Sequence, residues 1–425
     1  MDKFLEFMAD VSPKRTRYIC ILTTLLLSTA SAHAQEWTRF RGPNGSGTSE
    51  TIIPAKWTPD SYRWKVELPG TGHGSPVLWS GKVFLNASQD EGRKRLVTAI
   101  DATTGKTLWT TPFESSKHKT HKHNSFATST PTVDAGHVYS VWGHKGELRV
   151  VALDHDGKTA WDRDLGGVNG GHGFGVSPIL HDDLLILPND QEKGGGYIIA
   201  LDKQTGKTRW KIPRKSKRLT FSTPCIYSHP GGGQADQLIL TNWWLGITSL
   251  NPGTGKLNWE KSVFGRPHAE RAIASPIISN GLVIGTCGFT TLDKHLVAMD
   301  PLKGEEVWRI EQSVPHIPCP IVVNDLLFMW GDGGILSCLD PQNGKTYWRE
   351  RVKDVRDTYF GSPVAAGNHI FCTSSNGSVV VIEASKTFRQ LAVNELEELC
   401  RSTPAIANGN LYLRTYGHLY CVKGE

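Results

Sequence analysis

The chain is dominated by one recurring phrase: two apolar residues, an Asp or Asn, a short turn, and Gly-Lys-x-x-Trp, with Gly-Glu-x-x-Trp once. The copies run from Asp101 to Trp109, Asp154 to Trp161, Asp202 to Trp210, Asn251 to Trp259, Asp300 to Trp308 and Asp340 to Trp348. A worn copy at Val381-Ile382-Glu383 lacks the Trp. Such repetition indicates one structural unit used many times, so it constrains the fold more than composition does.

A second phrase, Ser/Thr-Pro followed by alternating apolar residues, marks where each unit begins. It occurs at Ser75-Pro76, Thr130-Pro131, Ser177-Pro178, Thr223-Pro224, Ser275-Pro276, Ser362-Pro363 and Thr403-Pro404, with Cys319-Pro320 as a variant. Successive prolines stand 41 to 55 residues apart. Proline is tolerated at the first residue of a strand, because no ladder hydrogen bond is lost there. The phrase therefore predicts eight unit starts.

Each unit contains four short apolar stretches separated by turn residues. In the third unit they lie at 177–180, 184–187, 197–201 and 207–210. A lone four-stranded sheet leaves both faces uncovered, whereas sheets stacked around an axis cover one another. We therefore predict an all-β chain, an eight-bladed β-propeller of four-stranded antiparallel blades. A seven-bladed ring is the alternative, because the seventh unit is worn.

The phrase residues have structural roles in this interpretation. The acidic residue accepts hydrogen bonds from turn amides, and the Gly takes a positive φ. The Trp offers a large apolar face that packs between neighbouring sheets. These roles are predicted for Asp101, Asp202, Asp300 and Asp340, and for Trp109, Trp161, Trp210, Trp259, Trp308 and Trp348.

The two chain ends complement each other. The last unit, from Thr403 to Val422, stops after three strands, and a spare strand with the missing character stands at Tyr62 to Leu68, around Trp64. We expect the N-terminal strand to complete the last blade and close the ring. Closure removes sheet edges that would otherwise pair with other chains.

The N-terminus has the pattern of a secretory signal. Lys14, Arg15 and Arg17 precede the apolar run 18–27, and Ala32-His33-Ala34 supplies small residues for cleavage. The run is too short to span a bilayer. The predicted organisation is a signal peptide at 1–34, an N-terminal extension at 35–60 and the propeller at 61–425. We expect an exported protein, periplasmic or extracellular, without a membrane span after cleavage.

Cysteines and charge exclude several classes of function. Seven of the eight cysteines follow the signal, with no CxxC and no vicinal pair, so we expect mostly buried, inert thiols. The net charge of +6 is spread along the chain and gives no specific case for nucleic acid.

The phrases resemble the PQQ-like repeat, whose consensus is close to Ala-Leu-Asp-x-x-Thr-Gly-Lys-x-x-Trp, and Ala200 to Trp210 is nearly identical to it. The resemblance covers roughly residues 60–425. It implies a propeller of the quinoprotein alcohol dehydrogenase-like superfamily. That superfamily contains PQQ- and Ca²⁺-binding dehydrogenases and non-enzymatic propellers resembling BamB, a scaffold of outer-membrane assembly.

The dehydrogenase alternative finds little support in the residues. Such enzymes carry a vicinal disulfide, which this chain lacks. Trp243-Trp244 could form a floor for the cofactor ring, and Asp332 or Asp357 could supply a carboxylate, but no motif connects them. The glycine-rich stretches 170–175 and 231–233 open no helix, so they predict loops rather than nucleotide sites. His118, His121 and His123 lie in a basic loop that predicts a solvated segment more than a metal site.

The repeat also predicts a binding surface. The connections from each Trp to the next Ser/Thr-Pro lie on one face of a propeller, and loops of this kind carry binding residues. The residues just before each inner strand should surround an axial funnel: His73, Asn124, His172, Arg218, Arg271, His316, Tyr359 and Arg401. Such a set favours an anionic or hydrogen-bonding ligand. The alternative is that these groups only satisfy loop carbonyls and carboxylates such as Glu270 and Glu398.

The sequence thus favours a non-catalytic binding scaffold for a protein, peptide or glycan partner in the cell envelope, with no cofactor and no metal. A PQQ-dependent dehydrogenase and a sugar-binding or sugar-processing propeller are the alternatives. The oligomeric state is not encoded in any feature of the sequence considered above.

Overall fold

The computed structural model describes residues 36–264, 271–288 and 294–425, and these residues form eight sheets. The predicted signal peptide and Glu270 lie outside the described residues. The prediction of an all-β, eight-bladed propeller of four-stranded antiparallel blades is confirmed. The first strands of neighbouring blades contact one another around the axis, as β3 (Val77–Trp79) does with β7 (Thr132–Val133).

The described elements before the first blade, and those of blades 1 to 4, are as follows. The N-terminal part holds the 3₁₀ turn η1 (Pro43–Gly45), β1 (Thr48–Ser49), η2 (Pro59–Ser61) and β2 (Tyr62–Glu67). Blade 1 consists of β3, β4 (Lys82–Gln89), η3 (Asp90–Gly92), β5 (Lys94–Asp101) and β6 (Thr107–Glu114). Blade 2 consists of β7, β8 (Val138–His144), β9 (Glu147–Leu153) and β10 (Thr159–Asp164). Blade 3 consists of β11 (Ile179–His181), β12 (Leu184–Asn189), β13 (Tyr197–Asp202) and β14 (Thr208–Pro213). Blade 4 consists of β15 (Cys225–Tyr227), β16 (Gln237–Asn242), β17 (Gly246–Leu250) and β18 (Leu257–Lys261).

Blades 5 to 8 repeat the same order from the inner to the outer strand. Blade 5 consists of β19 (Ile277–Ser279), β20 (Leu282–Cys287), β21 (His295–Asp300) and β22 (Glu305–Ile310). Blade 6 consists of β23 (Ile321–Val323), β24 (Leu326–Trp330), β25 (Ile335–Leu339) and β26 (Thr346–Arg351). Blade 7 consists of β27 (Val364–Ala366), β28 (His369–Thr373), β29 (Ser378–Glu383) and β30 (Gln390–Glu395). Blade 8 consists of β31 (Ala405–Ala407), β32 (Asn410–Arg414), β33 (His418–Lys423) and the N-terminal β2.

The ring closes as predicted. Strand β2 pairs antiparallel with β33, with Trp64 opposite Cys421 and Val66 opposite Leu419. Trp64 then packs against the next blade, where its indole Nε1 donates to the carbonyl of Ala102 at 3.1 Å. The first and last parts of the chain therefore share one sheet.

The Trp of most repeats packs on the Gly of the repeat in the next blade. Trp210 of blade 3 donates through Nε1 to the carbonyl of Pro252 in blade 4 at 3.0 Å. It lies on Gly255, where a Cβ atom would come within 2.8 Å of the indole. Gly255 also has φ +70°, which side chains other than glycine's disfavour. The glycine is thus needed for the turn and for the Trp of the preceding blade. The same pairing joins Trp64 to Gly105, Trp109 to Gly157, Trp161 to Gly206, Trp259 to Gly304 and Trp308 to Gly344.

The Ser/Thr-Pro phrase also forms hydrogen bonds between blades around the axis, a role that the repeat pattern did not predict. In seven of the eight units the backbone N–H of the residue before the proline donates to the side chain at the same position of the next blade, because the neighbouring inner strands lie side by side. Donor and acceptor run from Ser75 to Thr130, Thr130 to Ser177, Thr223 to Ser275, Ser275 to Cys319, Cys319 to Ser362, Ser362 to Thr403, and Thr403 back to Ser75. We call these residues, at the narrow waist of the propeller, the hydroxyl ring.

The N-terminal extension lies against the inner strands of several blades and then runs over blade 7, where Asn394 of the outer strand β30 donates to the carbonyl of Ala55 at 2.9 Å. We call residues 36–57 the axial segment. Trp37 bridges to Leu78 of blade 1, and β1 pairs in parallel with β27 of blade 7. Asn44 exchanges two hydrogen bonds with the backbone of Ile226 in blade 4, at 2.7 and 2.8 Å. Contacts with blades far apart in the ring follow from its central position.

Two buried arginines hold the axial segment in place. Arg39 donates to the carbonyl of Pro224, and Arg41 donates to that of Pro320 at 3.0 Å. Burial lowers the pKa of Arg39 to about 10. The acceptors are carbonyl oxygens of the Ser/Thr-Pro phrase, so the segment and the hydroxyl ring are parts of one structure.

Candidate binding site: the axial funnel

One cavity of about 540 Å³ lies on the axis, on the face that carries the connections between blades. We call it the funnel. Seven of the eight predicted residues line it: His73, Asn124, His172, Arg271, His316, Tyr359 and Arg401. The residues of the hydroxyl ring also line it, and so does Phe40 of the axial segment. The chain's own N-terminal residues therefore form part of the cavity wall.

Arg218 is the predicted residue that does not line the cavity. Its backbone carbonyl accepts from the Ser216 hydroxyl, which fixes a tight turn in this connection. The neighbouring Lys217 lies over the ring of Trp244, 3.9 Å from its centre. Blade 4 instead contributes Phe221 and Thr223 to the wall. Arg218 is thus absent from the described lining, although its charge is close enough to contribute to the lowered pKa of His172 in the wall.

The imidazole of His172 lies in a stacked arrangement in the wall. It stacks on His121 with ring centres 4.4 Å apart, and its Nδ1 lies 3.2 Å from Nη2 of Arg271. Burial, and then the charge of Arg271, lowers the pKa of His172. Arg271 also approaches Glu192, with N and O 3.8 Å apart. The neutral form of His172 is thereby favoured beside a cation.

Two more histidines are neutral for the same reason. Burial lowers the pKa of His73 to about 3, with further lowering by the charges of Arg401 and Arg414. Burial lowers the pKa of His316 to about 4, against the opposing effect of Asp332. Neutral imidazoles both donate and accept hydrogen bonds. The wall therefore presents hydrogen-bonding groups without adding positive charge.

Asp332 is the one carboxylate among the described lining residues, and it is already engaged. Its two oxygens accept the backbone N–H groups of His316 at 2.9 Å and Ile317 at 2.8 Å. Lys294 lies 3.5 Å from it. The Asp332 carboxylate therefore holds the connection before blade 6 in place and balances the positive charge of Lys294.

Arg401 and the aromatic residues beside it complete the wall. The guanidinium of Arg401 lies over Phe360, 4.6 Å from the ring centre, and donates to the carbonyl of Lys122 at 3.1 Å. His123 packs on the same phenyl ring at 5.2 Å. Tyr359 is fully buried against Trp330, so it contributes wall surface. The described lining thus combines arginines with aromatic faces.

Some of the predicted funnel residues also satisfy loop carbonyls, as the alternative interpretation of these residues expects. Asn124 donates to the carbonyl of His172 at 2.6 Å. Glu398, however, accepts from Thr415 and lies 2.8 Å from Nδ1 of His418, both in blade 8. The lining is therefore preorganised by internal hydrogen bonds.

Sequence reasoning did not place His121, His123, Phe360 or Phe40 in the lining, and it considered Asp332 only as a carboxylate for the dehydrogenase alternative. His121 and His123 precede Thr130-Pro131 in the same connection as Asn124, so the rule that found Asn124 also applied to them. The lysines beside these histidines favoured the interpretation of the loop as a solvated segment. Phe40 carried no signal, because the axial segment has no repeat.

The calcium ion of the dehydrogenase alternative does not fit the described lining. Ca²⁺ takes six to eight oxygen ligands, with carboxylates prominent among them. The described funnel offers the Asp332 carboxylate alone, already held by amides and a lysine. Trp243 and Trp244 do not line the cavity, and Asp357 accepts instead from the backbone of Thr358 and Asn376. The described lining therefore lacks the set of carboxylate ligands that a calcium ion would need.

Two further searches concern metals and membranes. Among the described residues, no group of three or more His, Cys, Asp or Glu side chains is arranged to hold a metal ion. His118 stacks on His144 with ring centres 4.5 Å apart, away from the funnel. Within residues 36–264, 271–288 and 294–425, no helix has the length and apolar character to cross a bilayer.

The arrangement of blades agrees with a family model described as outer membrane protein assembly factor BamB, which matches residues 57–231 and 246–425. The chain belongs to the BamB family. The match begins at Trp57, so residues 36–56 of the axial segment lie outside it. BamB of Yersinia pestis is 22% identical over 355 residues, covering 82% of this chain and 73% of that protein.

Solved structures show the same fold. BamB from Moraxella catarrhalis superimposes with a TM-score of 0.61 at 14% identity, covering 85% of this chain and 96% of that one. Quinohemoprotein alcohol dehydrogenase from Comamonas testosteroni gives a TM-score of 0.61 at 15% identity, covering 92% of this chain and 81% of that one. Both likenesses concern the fold alone, because propellers of one architecture have different functions.

Proposed function

We propose that this BamB-family protein is an exported, non-catalytic binding scaffold of the cell envelope, and that its partner is another envelope protein. The partner inserts a peptide segment with an anionic or hydrogen-bonding group into the funnel. The observation that carries this proposal is the lining: arginines and neutral histidines around a cavity whose described carboxylate is already engaged.

The chemistry of the lining supports an anionic group in particular. Arg271 and Arg401 are cations in a partly dehydrated wall, where a charge-assisted hydrogen bond is stronger than in water. Arg401 already lies on Phe360, so its planar group is oriented before a ligand arrives. Preorganisation of this kind reduces the entropy lost on binding.

The test is capture of partners from the solubilised native envelope, followed by mass spectrometry. The double variant Arg271→Ala/Arg401→Ala should lose the partners that the unchanged protein retains. Arg389→Ala is the control, since it removes an exposed cation that does not line the funnel, and it should retain them. The melting temperature of each variant shows whether the fold is intact.

Two outcomes would contradict the proposal. Retention of the same partners by the double variant would exclude the funnel as the binding site. Binding to sugars on a glycan array, with no protein captured, would favour the sugar-binding alternative.

A further inference from the structure

The residues just before each inner strand alternate in the direction of their side chains. The hydroxyl-ring residues line the funnel, and so do all eight residues that stand two positions earlier in the chain. The residues between them, all of which the structure describes, do not line it. Side chains two positions apart in an extended chain point the same way. The eight earlier positions therefore form a second ring of residues around the cavity, which we call the lining ring.

One half of the lining ring is apolar. Four neighbouring blades, 4 to 7, present large apolar side chains at this position: Phe221, Ile273, Ile317 and Phe360. All four are half-buried, whereas most apolar side chains of the strands are buried. Part of their surface is therefore left for a ligand, and covering it would release water from apolar groups.

The other half of the lining ring is polar or small. Blades 8, 1, 2 and 3 present Arg401, His73, Thr128 and Gly175. The lack of a side chain at Gly175 leaves room for Phe221, since a Cβ atom there would come within 2.6 Å of the phenyl ring. The funnel wall thus has an apolar face and a polar face, and this packing fixes one boundary between them.

Arg401 lies at the other boundary, where its guanidinium covers the ring of Phe360. Its Nε has no hydrogen-bond partner among the described residues. Burial lowers the pKa of Arg401, and the charge of Asp357 opposes that effect only in part. The Asp357 carboxylate itself accepts the backbone N–H groups of Thr358 and Asn376. A ligand carboxylate at Arg401 would therefore gain a charge-assisted hydrogen bond, with its neighbouring atoms next to the apolar face.

We propose that the funnel recognises an acidic residue directly next to a large apolar residue in the peptide segment that enters it. The carboxylate binds Arg401, and the apolar side chain packs against the face formed by blades 4 to 7. The cavity of about 540 Å³ lies in the range of about 300–1,000 Å³ that is typical for pockets enclosing small ligands, so it accommodates a short segment. This inference rests on the proposed function, because it specifies the segment that the partner inserts.

The test measures the dissociation constants of three blocked peptides by isothermal titration calorimetry. The peptides differ only in a central pair, which is Phe-Glu, Phe-Gln or Ala-Glu, with two glycines on each side. The Phe-Glu peptide should bind at least about tenfold more tightly than either of the others, because each of those lacks one of the two contacts. Phenylpropionate, which carries a ring and a carboxylate without peptide groups, should bind more weakly than the Phe-Glu peptide.

Two variants assign the contacts to the two faces. Arg401→Gln should abolish the preference for Phe-Glu over Phe-Gln and keep the preference over Ala-Glu. The double variant Ile273→Thr/Ile317→Thr should keep the preference over Phe-Gln and reduce that over Ala-Glu by about threefold or more. Arg389→Gln and Leu257→Thr are the matched controls, since both residues are exposed and neither lines the funnel, and both preferences should remain.

Equal affinity for the three peptides would overturn the inference, and the unchanged protein alone decides this if a variant does not fold. Equal or tighter binding of phenylpropionate would also overturn it, because a small carboxylate would then be the better ligand. Preferences that both variants retain would place the peptide outside the lining ring, with the same consequence. Capture of envelope partners alongside equal peptide affinities would leave the proposed function standing, whereas peptide preferences without captured partners would contradict the proposed function alone.

Discussion

Trp57 of the axial segment lies against Phe371 of blade 7, with ring centres 6.2 Å apart. Blade 7 is the blade that lacks the Trp of the repeat, since Ala392 lies opposite Val381. In blade 6 the repeat residue Trp348 packs in the same way on Phe328, at 6.0 Å. A tryptophan from outside the repeat thus provides the missing aromatic contact.

Removing this indole should destabilise the protein as much as removing a repeat tryptophan does. We expect Trp57→Ala to cost about 3–5 kcal/mol of unfolding free energy, because it opens a cavity in the core. Trp210→Ala should cost a similar amount, and Leu257→Ala, at a side chain that is 54% exposed, should change stability by less than about 0.5 kcal/mol. Denaturant unfolding measures all three. A small loss for Trp57→Ala would mean that blade 7 is stable without it.

Most of the fold could be predicted because its information is local and repeated. The apolar stretches, the turn Gly and the Trp recur in each unit, and Trp64 supplied the closing strand. The axial segment could not be predicted, because its partners are remote in sequence: Trp57 bonds to Asn394, 337 residues away. Nothing in residues 36–57 shows a period that would reveal such a position.

The repeat glycines should separate two sources of destabilisation. Gly255 has φ +70° and lies on Trp210, whereas Gly281 has φ +79° with nothing within 4 Å. Gly281→Ala should cost about 1 kcal/mol through backbone conformation alone. Gly255→Ala should cost at least about 1–3 kcal/mol more, since the indole must move. Equal midpoints in denaturant for the two variants would show that the Trp contact adds nothing.

The hydroxyl ring predicts the effect of removing one acceptor. Thr130→Val keeps the shape of the side chain but leaves the buried N–H of Ser75 without its acceptor, so it should cost about 1–3 kcal/mol. Thr110→Val is a control, because Thr110 lies on the outer strand β6, away from the hydroxyl ring, and its hydroxyl lies 3.2 Å from that of Thr98. Thermal unfolding of both variants measures the difference. A loss for Thr130→Val no greater than for the control would argue against a structural role of the ring.

The lining residues could be predicted from the sequence wherever the repeat determines their position. Each blade had to present residues just before its inner strand, and seven of the eight chosen side chains line the funnel. Arg218 is absent from the described lining, and its connection folds into a local turn in which the Ser216 hydroxyl donates to the Arg218 carbonyl. Asp332 could not be recognised, since its role rests on accepting amides from a connection 15 residues earlier.

The buried histidines predict loss of stability in acid. The pKa of His73 is about 3 in the folded protein against an ordinary value of 6.5, so below pH 6.5 the unfolded chain takes up a proton that the folded one does not. Stability should fall by up to about 1.4 kcal/mol per pH unit between pH 6 and 4 from this residue alone. His73→Phe should reduce that slope. Parallel stability curves for the two proteins would contradict the assigned pKa.

The contacts of the axial segment and of β2 form late in folding, because their partners lie near the C-terminal end of the sequence. Residues made first by the ribosome find their partners only near the end of synthesis: Arg41 near Pro363, Ile53 at His369 and Trp64 at Cys421. Such distant pairings make folding slow, since loop closure must precede the contacts that reward it. A nascent chain cut short before blade 8 would therefore leave strand β2 and Trp64 without the strand that they pair with, and an unpaired edge beside exposed apolar surface favours aggregation.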